Sequence, residues 1–405
     1  MNVPAIKRLN QGVLFIWEDP PIHIRLDRFI EKSGTIHAEM TVSRVEGEGK
    51  LFRLIQAQVD LLSLRVRRES ADFLKKIAPT ISWWHIIEQV FVHGVDEYRL
   101  GEPALPLSDE VAIQELTYRL DPLIPESEGT VLYADGGSGK TYVGLFCALL
   151  VQQGQSLLGL TGTKGNVLYL DYEANYSVMA YRAKKLRLGH PCLKVAVPHY
   201  RRCIRPLHED LPALERIVTE QEIQFLVVDS LALACGKELE RPEAPIQLFA
   251  ALRTLKVTSL LITHTPKNTE DKKAFGSVYF SNLARSVWEV RKVQEAGEST
   301  LKIGLYHRKA NYGPLHKPQG FCITFGEAIE VSTYDLSEEP DLAKGLPLRI
   351  RIEQVMKSGP RTAKMLAEEL DVPVTQIRPR LTEGKEQWII PVGKDGSEIL
   401  WGLKL

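Results

Sequence analysis

The stretch LYADGGSGKTYVGLF, residues 132–146, contains the residue types that hold a phosphate group. Gly136, Gly137 and Gly139 allow backbone conformations that a side chain forbids, so backbone amides can turn toward an anion. Lys140 follows at the start of a predicted helix, where its ammonium would neutralise phosphate oxygens. Ala134 stands where the strict pattern has glycine. We predict a triphosphate site formed by Asp135, Gly136, Gly137, Ser138, Gly139, Lys140, Thr141 and Tyr142.

Two segments contain oxygen ligands for a divalent cation. Thr141 follows the lysine and would give its hydroxyl to Mg²⁺. Downstream, FLVVDS places Asp229 directly after four apolar residues, at a strand end where ligands of such sheets gather. An ordinary strand-capping aspartate is the alternative interpretation of Asp229. A phosphate loop upstream of this strand end favours a Mg²⁺ site made by both residues.

A third segment, NVLYLDYEAN, ends a strand with two carboxylates, Asp171 and Glu173. A carboxylate at this position can orient and deprotonate the water that attacks a γ-phosphate. We interpret Glu173 as this catalytic base. Asp171 is a second candidate, and a solvated loop position is the non-functional alternative for Glu173.

The segment VTSLLITHTPKN ends a further apolar strand with Thr263, His264 and Thr265. Polar side chains at the edge that Asp229 shares can sense the γ-phosphate by hydrogen bonding. A histidine that only satisfies a local polar contact is the alternative. We favour the functional interpretation of His264.

These residues require a scaffold that brings several strand ends together. From residue 130 to residue 335, apolar runs alternate with helical patterns, and several runs are continuous, as in parallel strands buried on both faces. This pattern predicts a doubly wound, mainly parallel α/β sheet with an antiparallel extension. The strand candidates are TVLYA, NVLYLDY, FLVVD, VTSLLIT, SVWEVRKV and TLKIGLYH, extended by GFCITF and AIEVST.

The flanking segments predict three further parts. Residues 1–100 are interpreted as a small α+β domain of unknown role, with a hairpin made by IHIRLDRF and TIHAEMTV and helices over 64–92. Residues 101–129 are interpreted as a linker with one helix, SDEVAIQELTYRL. Residues 348–405 show the order helix, helix, helix, β-hairpin, which is typical of a winged helix-turn-helix.

Composition excludes several classes of protein. Lys and Arg number 51, equal to Asp and Glu, so no global charge attracts nucleic acid or a membrane surface. The five cysteines have no CxxC spacing, which argues against zinc or a disulfide framework. No signal peptide and no 18-residue apolar run is evident. We therefore expect a cytoplasmic protein with reduced thiols and no membrane partner.

Taken together, six segments resemble the RecA-like ATPases, in the branch of the plasmid RepA-type hexameric replicative helicases and their phage and mobile-element relatives. The resemblance covers residues 125–335 and rests on ADGGSGKT, LYLDYEAN, FLVVDS, LITHTPK, FGSVYFSNLARSVWEV and LYHRKANYGP. It implies ATP, Mg²⁺ and a homo-oligomer, most typically a hexamer. It also implies that Glu173 is catalytic, that His264 contacts the γ-phosphate or couples it to DNA, and that Arg285 reaches the neighbouring subunit's nucleotide.

Some positions depart from the family pattern. In HRKANYGP, Lys309 matches a second basic motif, but Asn311 stands where some relatives carry arginine. Arg308 and Lys309 are therefore second choices for the cation that acts on the neighbouring subunit. An ordinary surface arginine is the alternative for Arg285.

Two regions are candidates for contact with DNA. The polar segment PKNTEDKKAFGS follows His264, and in the resembled family this region faces the central channel; a plain solvated loop is the alternative. Its lysines Lys267, Lys272 and Lys273 would grip backbone phosphates of a single strand. In the third C-terminal helix, Arg378 and Arg380 would contact duplex DNA, although many winged helices bind protein instead.

The sequence thus predicts an ATP-hydrolysing, DNA-associated motor or helicase of a replication or mobile-element system. Two rival hypotheses remain open. One is an ATP-gated regulator that binds DNA through its winged helix. The other is a P-loop phosphotransferase acting on a small molecule, for which the chain has no apparent arginine-rich lid.

Overall fold

A computed structural model describes residues 3–9, 12–47, 49–101, 116–236, 241–265 and 278–404. The chain divides into two compact units. The first contains residues 1–115, 207–223 and 250–256, and the second contains residues 116–206, 224–249 and 257–405.

The first unit is built on an antiparallel sheet of five strands in sequential order. Alternation of buried and exposed residues along its third and fourth strands puts one face in the core. The hairpin predicted from IHIRLDRF and TIHAEMTV is confirmed, and the helical region over 64–92 forms two helices. The elements are β1 Ala5–Leu9, β2 Gly12–Trp17, β3 Ile22–Lys32, β4 Thr35–Glu46, β5 Lys50–Asp60, α1 Leu64–Ile77 and α2 Trp83–Leu100.

The rest of the chain contributes fifteen strands and ten α-helices within its described residues. The strands are β6 Tyr118–Asp121, β7 Ile124–Pro125, β8 Gly129–Ala134, β9 Ser156–Leu157, β10 Leu160–Gly162, β11 Asn166–Asp171, β12 His199–Arg202, β13 Ile223–Asp229, β14 Thr258–His264, β15 Ser286–Val293, β16 Thr300–Ala310, β17 Gln319–Phe325, β18 Ile329–Thr333, β19 Ile389–Asp395 and β20 Glu398–Leu403. The helices are α3 Lys140–Gln153, α4 Tyr176–Gly189, α5 Leu211–Glu220, α6 Leu231–Cys235, α7 Glu243–Leu255, α8 Val278–Leu283, α9 Pro340–Ala343, α10 Leu348–Met356, α11 Ala363–Leu370 and α12 Val374–Gly384.

The second unit is organised around a nine-stranded sheet in the order β12-β11-β13-β14-β8-β15-β16-β17-β18. Strand β8 is parallel to both β14 and β15, whereas β16, β17 and β18 continue the sheet in antiparallel register. The expected mixed α/β architecture with a parallel-rich sheet is confirmed, and it fits a RecA-like fold. The register pairs His264 with Ala134 and Asp229 with Ile262, so these strand ends meet at one edge.

The central strands are buried on both faces. Four consecutive residues of β13, from 225 to 228, are fully buried. A strand covered by helices on both sides needs apolar residues at every position rather than at alternate ones. This burial explains the continuous apolar runs from which the strands were predicted.

The segment before the large sheet differs in part from its prediction. The helix predicted over residues 108–120 falls mostly outside the described residues, and it is wrong at its end, because Tyr118–Asp121 forms β6 in a small sheet with β7, β10 and β9. Strand pairing with β10 satisfies this backbone instead.

Residues 348–404 form three helices and a two-stranded antiparallel sheet around their own core. The core side chains include Ile352, Leu366, Ile377 and Trp401. These elements follow the predicted order, and the winged helix-turn-helix assignment stays a prediction. Among the described residues, no helix combines the length and apolar character that a membrane span requires.

Candidate nucleotide site

The loop between β8 and α3 turns the chain sharply at two glycines. Gly137 and Gly139 have φ angles of 67° and 79°, a region that favours glycine. A Cβ atom at Gly139 would lie 2.8 Å from Leu301 Cδ2, so a side chain there would also force a neighbour to move. The loop leads into the 14-residue helix α3, whose first amides lack intrahelical partners and favour an anion.

Lys140 is held at the centre of this loop. Its Nζ donates to the carbonyl oxygens of Ala134 at 2.9 Å and Asp135 at 2.8 Å. The residue is only 5% exposed, and this burial lowers its pKa to about 8, against the opposing effect of the Asp229, Glu173 and Asp135 carboxylates. A phosphate anion beside the ammonium would favour its charged form.

Asp229 and Thr141 provide an oxygen pair next to the loop. The Asp229 carboxylate is 4% exposed and accepts a hydrogen bond from Tyr169 Oη at 2.8 Å. Burial raises its pKa, while hydrogen bonds from Tyr169 and Thr141 oppose the rise. A carboxylate and a hydroxyl side by side fit Mg²⁺, which proteins hold with one or two side chains, water and substrate phosphates. Within the described ranges, no cluster of three or more His, Cys, Asp or Glu forms an all-protein metal site.

His264 lies between the lysine of the loop and Glu173. Its Nδ1 is 3.3 Å from Lys140 Nζ, and its Nε2 is 3.5 Å from Glu173 Oε1. Because an ammonium can only donate, Nδ1 accepts and Nε2 carries the proton that faces the carboxylate. The side chains of His264 and Glu173 are 44% and 42% exposed, so both are accessible to water and to a ligand.

Asp171, the second candidate for the base, has a different environment. Its Oδ1 accepts from the backbone amides of Glu173 at 2.9 Å and Ala174 at 2.8 Å, and its Oδ2 accepts from Tyr200 Oη at 3.0 Å. Both carboxylate oxygens are therefore engaged, and the residue is 2% exposed. Asp171 fixes the loop that carries Glu173, and its oxygens are poorly placed to take a proton from water.

Three further residues of the predicted loop have distinct surroundings. Ser138 is 2% exposed, and its Oγ accepts from Lys140 Nζ at 3.3 Å. The Asp135 carboxylate accepts a hydrogen bond from Thr265 Oγ1. Apart from its chain neighbours, no atom of the described residues lies within 4 Å of a Cβ built at Gly136, which leaves space beside the loop.

Tyr142 faces a packing contact. Its ring lies 5.2 Å from the ring of Phe325 in an edge-on arrangement, and the Arg182 guanidinium lies 5.2 Å from its centroid. The predicted contact of Tyr142 with a nucleotide is not evident from these interactions and stays a prediction.

Lys292 is a loop contact that the sequence analysis missed. It lies near the end of β15, and its Nζ donates to the carbonyl oxygen of Gly137 at 2.9 Å. The signal was present in SVWEVRKV, because a strand parallel to β8 ends at the same edge as the phosphate loop. Lys292 therefore adds a second cation beside Lys140.

Arg285 lies at the opposite edge of the sheet. Its backbone amide donates to the carbonyl oxygen of Gly129 at 3.3 Å, at the start of β8, and its side chain is exposed. The phosphate loop begins after Ala134, about 16 Å farther along the extended strand. The structure thus does not bring Arg285 to the loop of its own chain.

The second-choice cations are engaged within the chain. Arg308 pairs with Glu289 at 2.6 Å, and its guanidinium lies 5.0 Å from the Tyr306 ring centroid. Lys309 Nζ donates to the carbonyl oxygens of Asn282 at 3.0 Å and Ala284 at 2.7 Å. Burial and the nearby Arg285 charge lower the pKa of Lys309.

The predicted DNA contacts divide into two groups. Lys267, Lys272 and Lys273 lie outside the described residues. Arg378 and Arg380 lie on α12 with side chains 64% and 55% exposed, where they approach Glu398 at 3.5 Å and Glu383 at 2.7 Å respectively. Such exposed pairs contribute little energy, so both guanidinium groups remain accessible.

Residues 97–270 match the family model described as AAA domain, and this range contains the loop, Glu173, Asp229 and His264. The match supports a P-loop ATPase domain in this part of the chain. Among solved structures, the chain is similar to a KaiC-like protein from Pyrococcus horikoshii, a hyperthermophilic archaeon, with 16% identity and a TM-score of 0.39 over 55% of this chain and 99% of that chain. A similarity at this score supports no conclusion about function. No curated protein matches the sequence significantly.

The ATPase domain thus joins four of the predicted residues in one place. Lys140, Asp229, Glu173 and His264 lie together at the edge where the parallel strands end, and Arg285 does not. The arrangement can hold a triphosphate, neutralise its terminal oxygens and present a carboxylate to water.

Proposed function

We propose that this chain is an ATP-hydrolysing, DNA-associated motor of the RecA-like type, acting as a ring in replication or in the mobilisation of a genetic element. The observation that carries the proposal is the chain of contacts from Lys140 through His264 to Glu173. It links the cation for the γ-phosphate to the carboxylate that can activate water, as a hydrolase requires.

In this proposal the loop residues bind the nucleotide and Lys140 neutralises the β- and γ-phosphate oxygens. Thr141 and Asp229 would hold Mg²⁺, which neutralises developing charge on the phosphates when it is bound. Tyr169 keeps the Asp229 carboxylate oriented by its 2.8 Å hydrogen bond. Both Tyr169 and Asp229 are buried, so this contact is shielded from solvent.

Glu173 takes a proton from the attacking water, and His264 reports on the γ-phosphate. The water-accessible carboxylate of Glu173 fits a base better than Asp171, whose oxygens already accept three hydrogen bonds. His264 lies within 3.5 Å of both Lys140 and Glu173. A shift of the lysine toward a phosphate would therefore change the contact between His264 and the base.

The ring belongs to the proposal because Arg285 lies at the far edge of the sheet. A cation from a neighbouring subunit can stabilise the charge that spreads over the γ-phosphoryl oxygens in the transition state. An exposed arginine some 16 Å from its own loop suits the loop of another copy. A hexamer is the assembly that the resemblance to replicative helicases implies.

Single-stranded DNA is the expected effector of hydrolysis, and the test is phosphate release. The purified chain with ATP and Mg²⁺ should release phosphate several-fold faster when an unstructured oligonucleotide is added. Light scattering should show a larger particle when nucleotide and DNA are present. The proposed motor would be excluded if single-stranded DNA did not stimulate hydrolysis and the chain stayed monomeric.

A second candidate is an ATP-gated regulator that binds duplex DNA through residues 348–404. It is favoured by the helix, helix, helix, hairpin order and by the exposed guanidinium groups of Arg378 and Arg380. A regulator would retard a duplex in a gel in an ATP-dependent way, while its turnover would not respond to single strands. Arg378→Ala with Arg380→Ala should then abolish the gel shift.

A further inference from the structure

One segment of the ATPase domain is unusually basic in a chain of zero net charge. Residues 174–208 contain eight Lys or Arg and no Asp or Glu. A local excess of this size creates a positive field that the whole-chain balance conceals. The segment begins at the residue that follows Glu173 and includes α4 and β12.

This segment forms one border of the nine-stranded sheet. Strand β12 is its outermost strand and pairs with β11 in parallel register, which places Arg202 opposite Asp171. Because parallel strands end at the same edge, Arg202 lies on the side of the sheet that carries Glu173 and the phosphate loop. The side chains of this border strand itself, HYRR, are polar or aromatic.

Several of the basic side chains serve the fold. Arg187 donates to the Leu193 and Lys194 carbonyl oxygens, and Lys185 Nζ donates to the Gly326 carbonyl oxygen at 2.6 Å. These groups stabilise the helix and its following turn. These contacts give Arg187 and Lys185 a structural role, so no ligand is needed to explain these two charges.

Two of the other basic residues, Arg202 and Arg205, follow the aromatic Tyr200 closely in the sequence. Both are exposed, and within the described residues neither guanidinium group forms a hydrogen bond or an ion pair. Tyr176 is 66% exposed and packs edge-on against Tyr200 with ring centroids 5.5 Å apart. We call these four residues, Tyr176, Tyr200, Arg202 and Arg205, the Tyr–Arg border.

Hydrogen bonds connect the Tyr–Arg border to the loop that carries Glu173. Tyr200 Oη donates to Asp171 Oδ2 at 3.0 Å, and the other oxygen of Asp171 accepts the amides of Glu173 and Ala174. A ligand that moves Tyr200 therefore acts on the carboxylate that fixes the loop carrying Glu173.

We propose that the Tyr–Arg border binds single-stranded nucleic acid. Arginine side chains without protein partners attract phosphates, and the exposed ring of Tyr176 provides a face on which an unpaired base stacks, the combination by which proteins hold single strands. Duplex DNA would leave the tyrosines unused because its bases are already stacked. The binding does not depend on ATP hydrolysis; only the coupling through Asp171 rests on the proposed function.

The binding test uses the full chain without nucleotide and a labelled single-stranded oligonucleotide, followed by anisotropy over a range of salt concentrations. Arg202→Ala with Arg205→Ala should reduce the slope of log affinity against log salt by about 1.4, which corresponds to two lost phosphate contacts. Tyr176→Ala should weaken binding about tenfold.

Matched variants give the comparison. Arg68→Ala with Arg253→Ala removes the same charge from exposed positions elsewhere, and Tyr181→Ala removes a 58% exposed ring from another side of α4. Both should keep the salt slope and affinity of the wild type. Equal losses in the control and border variants would overturn the proposal.

A second copy of the chain is the competing occupant of the Tyr–Arg border. Light scattering without DNA decides this point, because the arginine variants should keep the mass of the wild type. A lower mass together with unchanged oligonucleotide affinity would assign the surface to contact between copies and reject the nucleic-acid site. Unchanged binding of DNA by a chain without measurable hydrolysis would reject the motor and leave the proposed site intact.

Discussion

The two edges of the nine-stranded sheet carry their charges in different ways. At the edge where the parallel strands end, Lys140 and Asp229 are buried, and His264 connects Lys140 to Glu173. At the opposite edge, Arg285 is exposed and its guanidinium faces solvent. Burial of charge costs free energy that only a partner or a ligand offsets.

The difference indicates where one chain is sufficient and where a second is needed. The buried edge contains the cation, the proposed metal ligands and the proposed base for hydrolysis. The exposed edge contains the arginine that the proposed ring would contribute to a neighbour. Variants at the two edges should therefore differ in whether mixing two defective chains restores activity.

The largest effect is expected at the buried edge. Lys140→Ala removes the buried cation from the loop and should reduce phosphate release to background, because Lys292, the second cation, contacts the Gly137 carbonyl oxygen and does not take the position of Lys140. Nucleotide affinity, measured by calorimetry, should fall as well. Lys317→Ala removes an exposed lysine and serves as the control. Activity retained in Lys140→Ala would show that the loop is not a triphosphate site.

Arg285→Ala should reduce turnover by about 10³ to 10⁵, the range for a cation supplied from a neighbouring subunit. Nucleotide affinity should change little because the residue does not touch its own loop. Mixing Arg285→Ala with Glu173→Gln chains should restore part of the activity, since some interfaces then combine an intact loop with an intact arginine. Lack of recovery, with both variants still assembling, would place the arginine outside the site.

Glu173→Gln should lower kcat by about 10² to 10⁴, the contribution of a positioned general base. The amide keeps the size of the side chain and an oxygen that can accept from His264 Nε2, so nucleotide binding should persist. Glu220→Gln, at an exposed position on α5, is the control. A fall in nucleotide affinity as large as the fall in kcat would point to a binding role for Glu173.

The same comparison shows what the sequence could predict. The strands that end in Ala134, Asp229 and His264 were predictable because each is a continuous apolar run followed by a polar residue. Strand β12, with the residues HYRR, was missed because a border strand exposes its side chains and has little apolar pattern. The role of Lys292 was missed because it depends on pairing between β15 and β8 over a long sequence separation.

The sequence analysis preferred Glu173 to Asp171, and the coordinates supply a physical reason for that preference. Both carboxylates follow the same strand, and their spacing favours neither. Only the three hydrogen bonds to Asp171 separate a residue that fixes the loop from one that is accessible to water. In residues 1–100, by contrast, two of the five strands were predicted as a hairpin, but no motif indicated a role.

A histidine cluster near the sheet edge that carries Arg285 allows a test of how burial changes the pKa of a histidine. The His307 ring stacks on the Trp288 ring with centroids 4.3 Å apart. Its Nδ1 accepts from the backbone amide of His316 at 3.1 Å, and its Nε2 lies 3.2 Å from Ser286 Oγ. The neutral ring with the proton on Nε2 satisfies both contacts, whereas a proton on Nδ1 would face another donor.

This environment predicts a dependence of stability on pH. Burial, with a smaller contribution from His316, lowers the pKa of His307 to about 4. The unfolded chain takes up the proton first, near pH 6.5, so the folded state loses up to about 3 kcal/mol as the pH falls from about 6.5 to about 4. His307→Gln should remove this part of the decline in thermal unfolding midpoint between pH 7 and pH 5, while His199→Gln, at an exposed position, should not. If the unfolding midpoints of His307→Gln and the wild type fall equally between pH 7 and pH 5, His307 takes up a proton as readily in the folded protein as in the unfolded chain. The contact of its Nδ1 with the amide of His316 opposes that outcome.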